Sequence, residues 1–176
     1  GAIVPGLVSW KHLRRSVYPP DLYGRLKALP GFSAKEVAWD FELERKAMRT
    51  IPQNEYEGWV RFHIRREQRW FDILRYIMRT DPADLTAVLF DGTDKLQHIC
   101  WRFLDPEWTS DGASDWERTI RGLCLEYFAQ LDRFLAEICA LAGPEARAFM
   151  ASDHGFGPTR QVFRVNTWLH EQGYLQ

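Results

Sequence analysis

No apolar run in these 176 residues approaches the roughly 20 needed to span a bilayer, which excludes a transmembrane helix. A charge surplus is also missing: 23 Lys and Arg stand against 24 Asp and Glu, a formal net charge of -1. That balance removes the simplest electrostatic case for nucleic acid or an acidic surface as a partner. Cysteine is scarce, at three residues (Cys100, Cys124 and Cys139), and no two form a C-x-x-C pair. An odd count among apolar neighbours reads as small buried hydrophobes in a reducing, cytoplasmic setting, not as a metal site or thiol nucleophile. There is no internal repeat and no low-complexity segment. The start, Gly1-Ala2-Ile3-Val4-Pro5, has no basic region followed by an apolar core, so no signal peptide is read there. It also lacks an initiator Met, and Gln176 follows directly on a helix-like segment. Both ends therefore read as cut from something longer, leaving residues 1–176 as one partial domain.

What is present is a globular composition, 45% hydrophobic and 27% charged, long enough for one core. Pro5-Gly6, Pro19-Pro20 and Pro30-Gly31 leave room only for short elements at the start, with one helix expected over 21–29. Residues 33–50 carry two signals. Ser33 with Glu36 suits a capping box, whereas Val37, Trp39 and Phe41 alternate as a strand does. From Glu55 to Arg79 the pattern is helical, with Trp59, Phe62, Trp70, Ile73, Leu74 and Ile77 on one stripe, and Asp81-Pro82 stops it. Ser114 and Glu117 open a second long helix, which Gly143-Pro144 ends. Asn166 is expected to cap a last short helix that runs through Gln172. Between the helices lie two apolar runs bounded by turn formers, Leu85–Phe90 and Ala146–Ser152. Apolar on both faces, they read as buried parallel strands, and strand, helix, strand is a crossover unit. The expected fold class is α/β.

In a parallel sheet, ligands bind beyond the carboxyl ends of the strands. After the first expected strand come Asp91-Gly92-Thr93-Asp94-Lys95-Leu96-Gln97-His98, and after the second Asp153-His154-Gly155. If a helical turn starts at Asp94, Asp94 and His98, four apart, project from one face and can reach one cation. A carboxylate with an imidazole suits zinc and accepts manganese or iron. Asp153 and His154 are adjacent, and Gly155 and Gly157 allow the tight path that lets both reach a shared region. Each pair also has a plain reading: a surface ion pair on a helix for the first, an Asx-type turn for the second.

The segments 94–101, Asp-Lys-Leu-Gln-His-Ile-Cys-Trp, and 152–158, Ser-Asp-His-Gly-Phe-Gly-Pro, followed by Asn166-Thr167-Trp168-Leu169 and Gly173-Tyr174-Leu175, resemble the type I phosphodiesterase/nucleotide pyrophosphatase branch of the alkaline phosphatase superfamily. Tyr18-Pro19-Pro20-Asp21-Leu22 is similar to the region leading into this part of those proteins. The resemblance implies a mostly parallel central sheet flanked by helices, with two divalent cations at its carboxyl edge. It implies that Asp94 and His98 hold one ion and Asp153 and His154 the other, the ions being zinc or, as the alternative, manganese. It implies a metal-activated Thr or Ser attacking a phosphate ester or nucleotide in line. In the family the nucleophile and a metal-binding Asp lie upstream of the matched segment, and a further metal-binding His lies downstream. The chain is thus expected to supply four ligands to a phosphoric ester hydrolase, with the nucleophile outside it, and to be inactive alone.

Thr93 aligns with no nucleophile and reads as a turn hydroxyl. His12, His63 and His170 have no acidic or Cys partner in a metal-like pattern, and His63 reads as packed or surface. Arg61, Arg65, Arg66 and Arg69 read as a solvated face balanced by Glu57, Glu67 and Asp72, and not as a nucleic-acid site. Trp101, three residues after His98, reads as a packing residue that is also placed to wall the metal site. Rival readings are a phosphomutase relative on the same scaffold, and a non-catalytic module whose Asp and His groups serve turns and caps.

Overall fold

A computed structural model describes residues 1–38, 40–47 and 51–175, and the long apolar stripes all become helices. Four short ones come first: α1 (Trp10–Ser16), α2 (Leu22–Lys27), α3 (Ala34–Val37) and α4 (Phe41–Ala47). Then come α5 (Tyr56–Thr80), α6 (Gly92–Leu104), α7 (Asp115–Ala142) and α8 (Val165–Glu171). Among the described residues of 33–50 the helical signal prevails, as α3 and α4. Ser33 Oγ accepts from the Glu36 amide at 3.4 Å and starts α3, while Trp39, part of the strand-like alternation, lies outside the described residues. The capping box of α7 is complete: Ser114 Oγ accepts from the Glu117 amide at 3.2 Å, and Glu117 accepts from the Ser114 amide at 2.9 Å. Gly143 ends α7 with φ at +87°, in the region where only glycine is free of Cβ strain. The last helix starts earlier than expected. Arg164 occupies its cap position, and Asn166 lies inside it.

Three helices build the main core. Val60 and Phe71 of α5, Leu96, Cys100 and Phe103 of α6, and Ile120, Tyr127 and Phe134 of α7 close on one another. Phe71 and Phe134 stack with centroids 4.1 Å apart and planes 6° from parallel. Burying each such side chain contributes about 1.5–3 kcal/mol, which holds the long helices together. A second cluster, Leu13, Leu22, Leu26 and Val37 against Ile73, seats the short helices on α5. Cys100 and Cys124 are buried as expected, but Cys139 is exposed. No helix among the described residues is long and apolar enough to cross a membrane.

The α/β expectation is wrong for this structure. Among the described residues there is no strand, and the only bridge is an isolated antiparallel one between Ile3 and Tyr18. The runs 85–90 and 146–152 form no regular element and pair with no strand among the described residues: Leu85 is 84% exposed and Phe149 92%. A parallel ladder needs a neighbouring backbone to bond each amide and carbonyl, and neither run lies beside the other as such a neighbour. Apolar content on both faces reports a segment's composition, not the presence of a partner. The expected mostly parallel central sheet is therefore absent among the described residues.

Candidate metal centre

The first turn of α6 carries Asp94, and one turn later His98, so the four-residue spacing stacks both side chains on one face. His98 Nε2 lies 3.3 Å from Asp94 Oδ1. The extended segment after α7 returns against this face and brings His154 Nε2 to 3.7 Å from the same oxygen. Two imidazoles from distant parts of the chain thus share Asp94 Oδ1. Asp153 is the outlying member, its side chain 91% exposed and its carboxylate 3.8 Å from His154 Nε2. On the other side of Asp94, Lys95 Nζ lies 3.9 Å from Oδ2 and 3.1 Å from Glu44 Oε2.

Phe156 organises the apolar side of the locus. Its ring meets His98 edge-on at 4.9 Å, His154 at 5.8 Å and Trp101 at 6.0 Å between centroids. Trp101 therefore borders the locus through Phe156 and is half-buried there. Thr93 is a turn hydroxyl, as its sequence context suggests: Oγ1 donates to the Phe90 carbonyl at 3.2 Å.

His154 carries an electrostatic signal within the locus. Its Nδ1 lies 3.0 Å from the Gly155 carbonyl, which can only accept, so Nδ1 bears the proton. Nε2 then faces the carboxylates of Asp153 and Asp94. The bond to Gly155, followed by the charge of Asp153 and then of Asp94, raises the His154 pKa above its ordinary value. The surroundings favour the positively charged imidazole. In donor type the four residues fit a zinc or manganese ion. They do not converge as a cage: among the described residues no three of His, Cys, Asp and Glu gather so as to hold one ion. A cavity of about 270 Å³, lined by Trp70, Leu74, Leu85, Val88 and Asp91 among others, includes none of the four.

The sequence reading missed a second polar group beneath α6. Arg66 and Glu67, assigned to a solvated face, are 4% and 1% exposed. Arg66 Nη1 bonds Asp91 Oδ1 at 3.2 Å, and Glu67 Oε1 accepts from the Gly92 amide at 2.8 Å and from Tyr127 Oη at 3.2 Å. Burial, with the charge of Asp91 next, pushes the Glu67 carboxyl up to about 7. His63, one turn earlier, is fully buried and neither ring nitrogen has a hydrogen-bond partner. Burial, with Arg66 and Lys95 nearby, lowers its pKa to about 3. A signal was available. The steps from Trp59 and Val60 through His63, Arg66 and Glu67 to Phe71 and Leu74 continue the apolar stripe, so polar residues stand at core positions.

No curated protein and no solved structure matches this chain. One family, described as Type I phosphodiesterase / nucleotide pyrophosphatase, matches residues 11–176, which takes in α1 to α8 almost whole, together with Asp94, His98, Asp153 and His154. With nearly its entire length so matched, the chain belongs to the type I phosphodiesterase/nucleotide pyrophosphatase family.

Proposed function

We propose that this chain supplies metal ligands to a two-metal phosphohydrolase of phosphodiesterase type, Asp94 with His98 for one divalent cation and Asp153 with His154 for the other. The observation that carries the reading is the shared Asp94 Oδ1, faced by His98 Nε2 at 3.3 Å and His154 Nε2 at 3.7 Å. Such a convergence of residues from separate segments needs a reason, and family membership supplies one. The substrate class that goes with it is a small phosphate ester or nucleotide. Zinc or manganese, when bound, would neutralise phosphoryl oxygens and lower the pKa of an attacking hydroxyl.

The chain's own part is to hold and orient. Asp94 receives both imidazoles, and Gly155 fixes the His154 ring with Nε2 outward. Phe156 and Trp101 stack beside the locus with ring centroids 6.0 Å apart, while the His98 and His154 side chains stay more than half exposed. Thr93 has its hydroxyl engaged with Phe90 and is given no part in bond cleavage. The nucleophile is assigned outside these residues, so no turnover is proposed for the chain alone.

Calorimetric titration of the chain with Zn²⁺ and with Mn²⁺ tests the reading. Binding that Asp94→Ala weakens at one site, and that Asp153→Ala with His154→Ala weakens at the other, is the expected result. No binding, or binding indifferent to all three substitutions, would leave the non-catalytic module as the better account.

A further inference from the structure

Resting on the metal reading above, we infer that Arg66 and Glu67 are positioning residues that clamp the first turn of α6 and so set the aim of Asp94 and His98. The grounds are geometric. Two consecutive residues of α5 bind two consecutive residues at the start of α6, Arg66 to Asp91 and Glu67 to Gly92. Asp91 stands at the cap position of α6 but makes no side-chain cap bond, so the Gly92 amide is met from α5 instead. That amide is one of the orphan donors at a helix start, and a carboxylate there also meets the positive end of the helix dipole.

Space at this point is fully used. A Cβ on Gly92 would stand 2.4 Å from Glu67 Oε1 and 2.5 Å from Tyr127 Oη, so glycine alone lets the backbone come this close. Tyr127 of α7 donates to the same Glu67 oxygen at 3.2 Å and ties the clamp to the third core helix. Burying Arg66 and Glu67 is costly, and an arrangement kept for packing alone is better served by apolar residues. What the buried pair adds is direction: a helix is stiff, so fixing 91 and 92 fixes where 94 and 98 point. Neither Arg66 nor Glu67 touches the locus; both act through the backbone of α6.

The test compares Glu67→Leu, Glu67→Gln and Arg66→Met in the full chain, by Mn²⁺ affinity and by NMR of the metal-free α6 amides. Glu67→Gln keeps an oxygen for the Gly92 amide and is expected to stay within about threefold of the wild-type affinity, whereas Glu67→Leu loses about tenfold or more. Arg66→Met, which opens only the Asp91 pair, is expected to lose about threefold and serves if Glu67→Leu does not fold. Wild-type affinity in Glu67→Leu or, where that variant does not fold, in Arg66→Met overturns the inference. So does a Glu67→Gln as weak as Glu67→Leu, because Gln keeps both the shape of Glu67 and an oxygen for the Gly92 amide. A wild-type chain that binds no Mn²⁺ sinks the metal reading alone. The α6 amides then decide this one: shifts across 92–98 in Glu67→Leu and in Arg66→Met, restored in Glu67→Gln, support it, and unmoved amides overturn it.

Discussion

His154 Nε2 lies 3.7 Å from Asp94 Oδ1, the oxygen that His98 Nε2 approaches at 3.3 Å from the other side. One carboxylate oxygen therefore joins the first turn of α6 to the extended segment after α7. The charge state of His154 is the most direct readout of that junction.

The His154 pKa is raised by the Gly155 carbonyl, then by Asp153, then by Asp94. Asp153→Asn and Asp94→Asn should each lower the imidazole midpoint toward the ordinary value, Asp153→Asn by more. Because the folded-state pKa is raised, the stability His154 contributes is present below pH 6.5 and fades as the pH rises past its folded-state midpoint. An NMR titration of the ring protons measures both shifts. A midpoint untouched in both variants would mean that the ring does not sense the carboxylates.

Glu67 sets a slope of its own. Its folded pKa of about 7 exceeds the ordinary 4.5, so the fold is favoured when the carboxyl is protonated and weakens as pH rises from 4.5 to 7. The full change is about 3 kcal/mol at 1.4 kcal/mol per unit. Glu67→Gln should flatten urea-unfolding stability across this window. Retention of the wild-type slope in that variant would assign the slope to another group.

His63 tilts the curve the other way. Its pKa is lowered from 6.5 to about 3, so its contribution is present above pH 6.5 and is lost as pH falls toward 3. At pH 4 the loss is about 3 kcal/mol. His63→Leu also removes two ring nitrogens that are buried without partners, so at pH 7 it should be neutral or stabilise by about 1 kcal/mol. Thermal unfolding of the variant at pH 4 and pH 7 separates the two effects. A variant less stable than wild type at both would show that the ring is held by bonds or packing that leucine cannot replace.

Phe71 and Phe134, stacked at 4.1 Å, close the contact between α5 and α7. Phe71→Ala should cost about 3–5 kcal/mol in chemical denaturation. A loss below about 1 kcal/mol would mean that the α5–α7 contact does not carry the fold.

The two longest helices, α5 and α7, were legible because their signals are local. Stripe spacing located α5 and α7 to within a residue or two, and Ser114, Glu117 and Gly143 marked the ends of α7 through bonds made inside the helix or one turn beyond it. Arg66 and Glu67 were misjudged for the converse reason, whereas His63, read as packed or surface, is packed. Polarity was weighed above position, although the spacing of Arg66 and Glu67 put them on the buried side of α5. The runs 85–90 and 146–152 show the limit of the same method, since a strand is defined by its neighbour and these runs have none among the described residues.

Spacing along the chain determined that Asp94 and His98 would share a helix face, because a helix fixes the relation of residues four apart. It also kept Asp153 beside His154. Only the tertiary structure decided that His154 would meet Asp94, and that Gly92 would rest on Glu67. Both contacts join segments far apart in sequence. They exist because α5, α6 and α7 pack on one core, and packing of that range leaves no trace in the spacing of neighbouring residues.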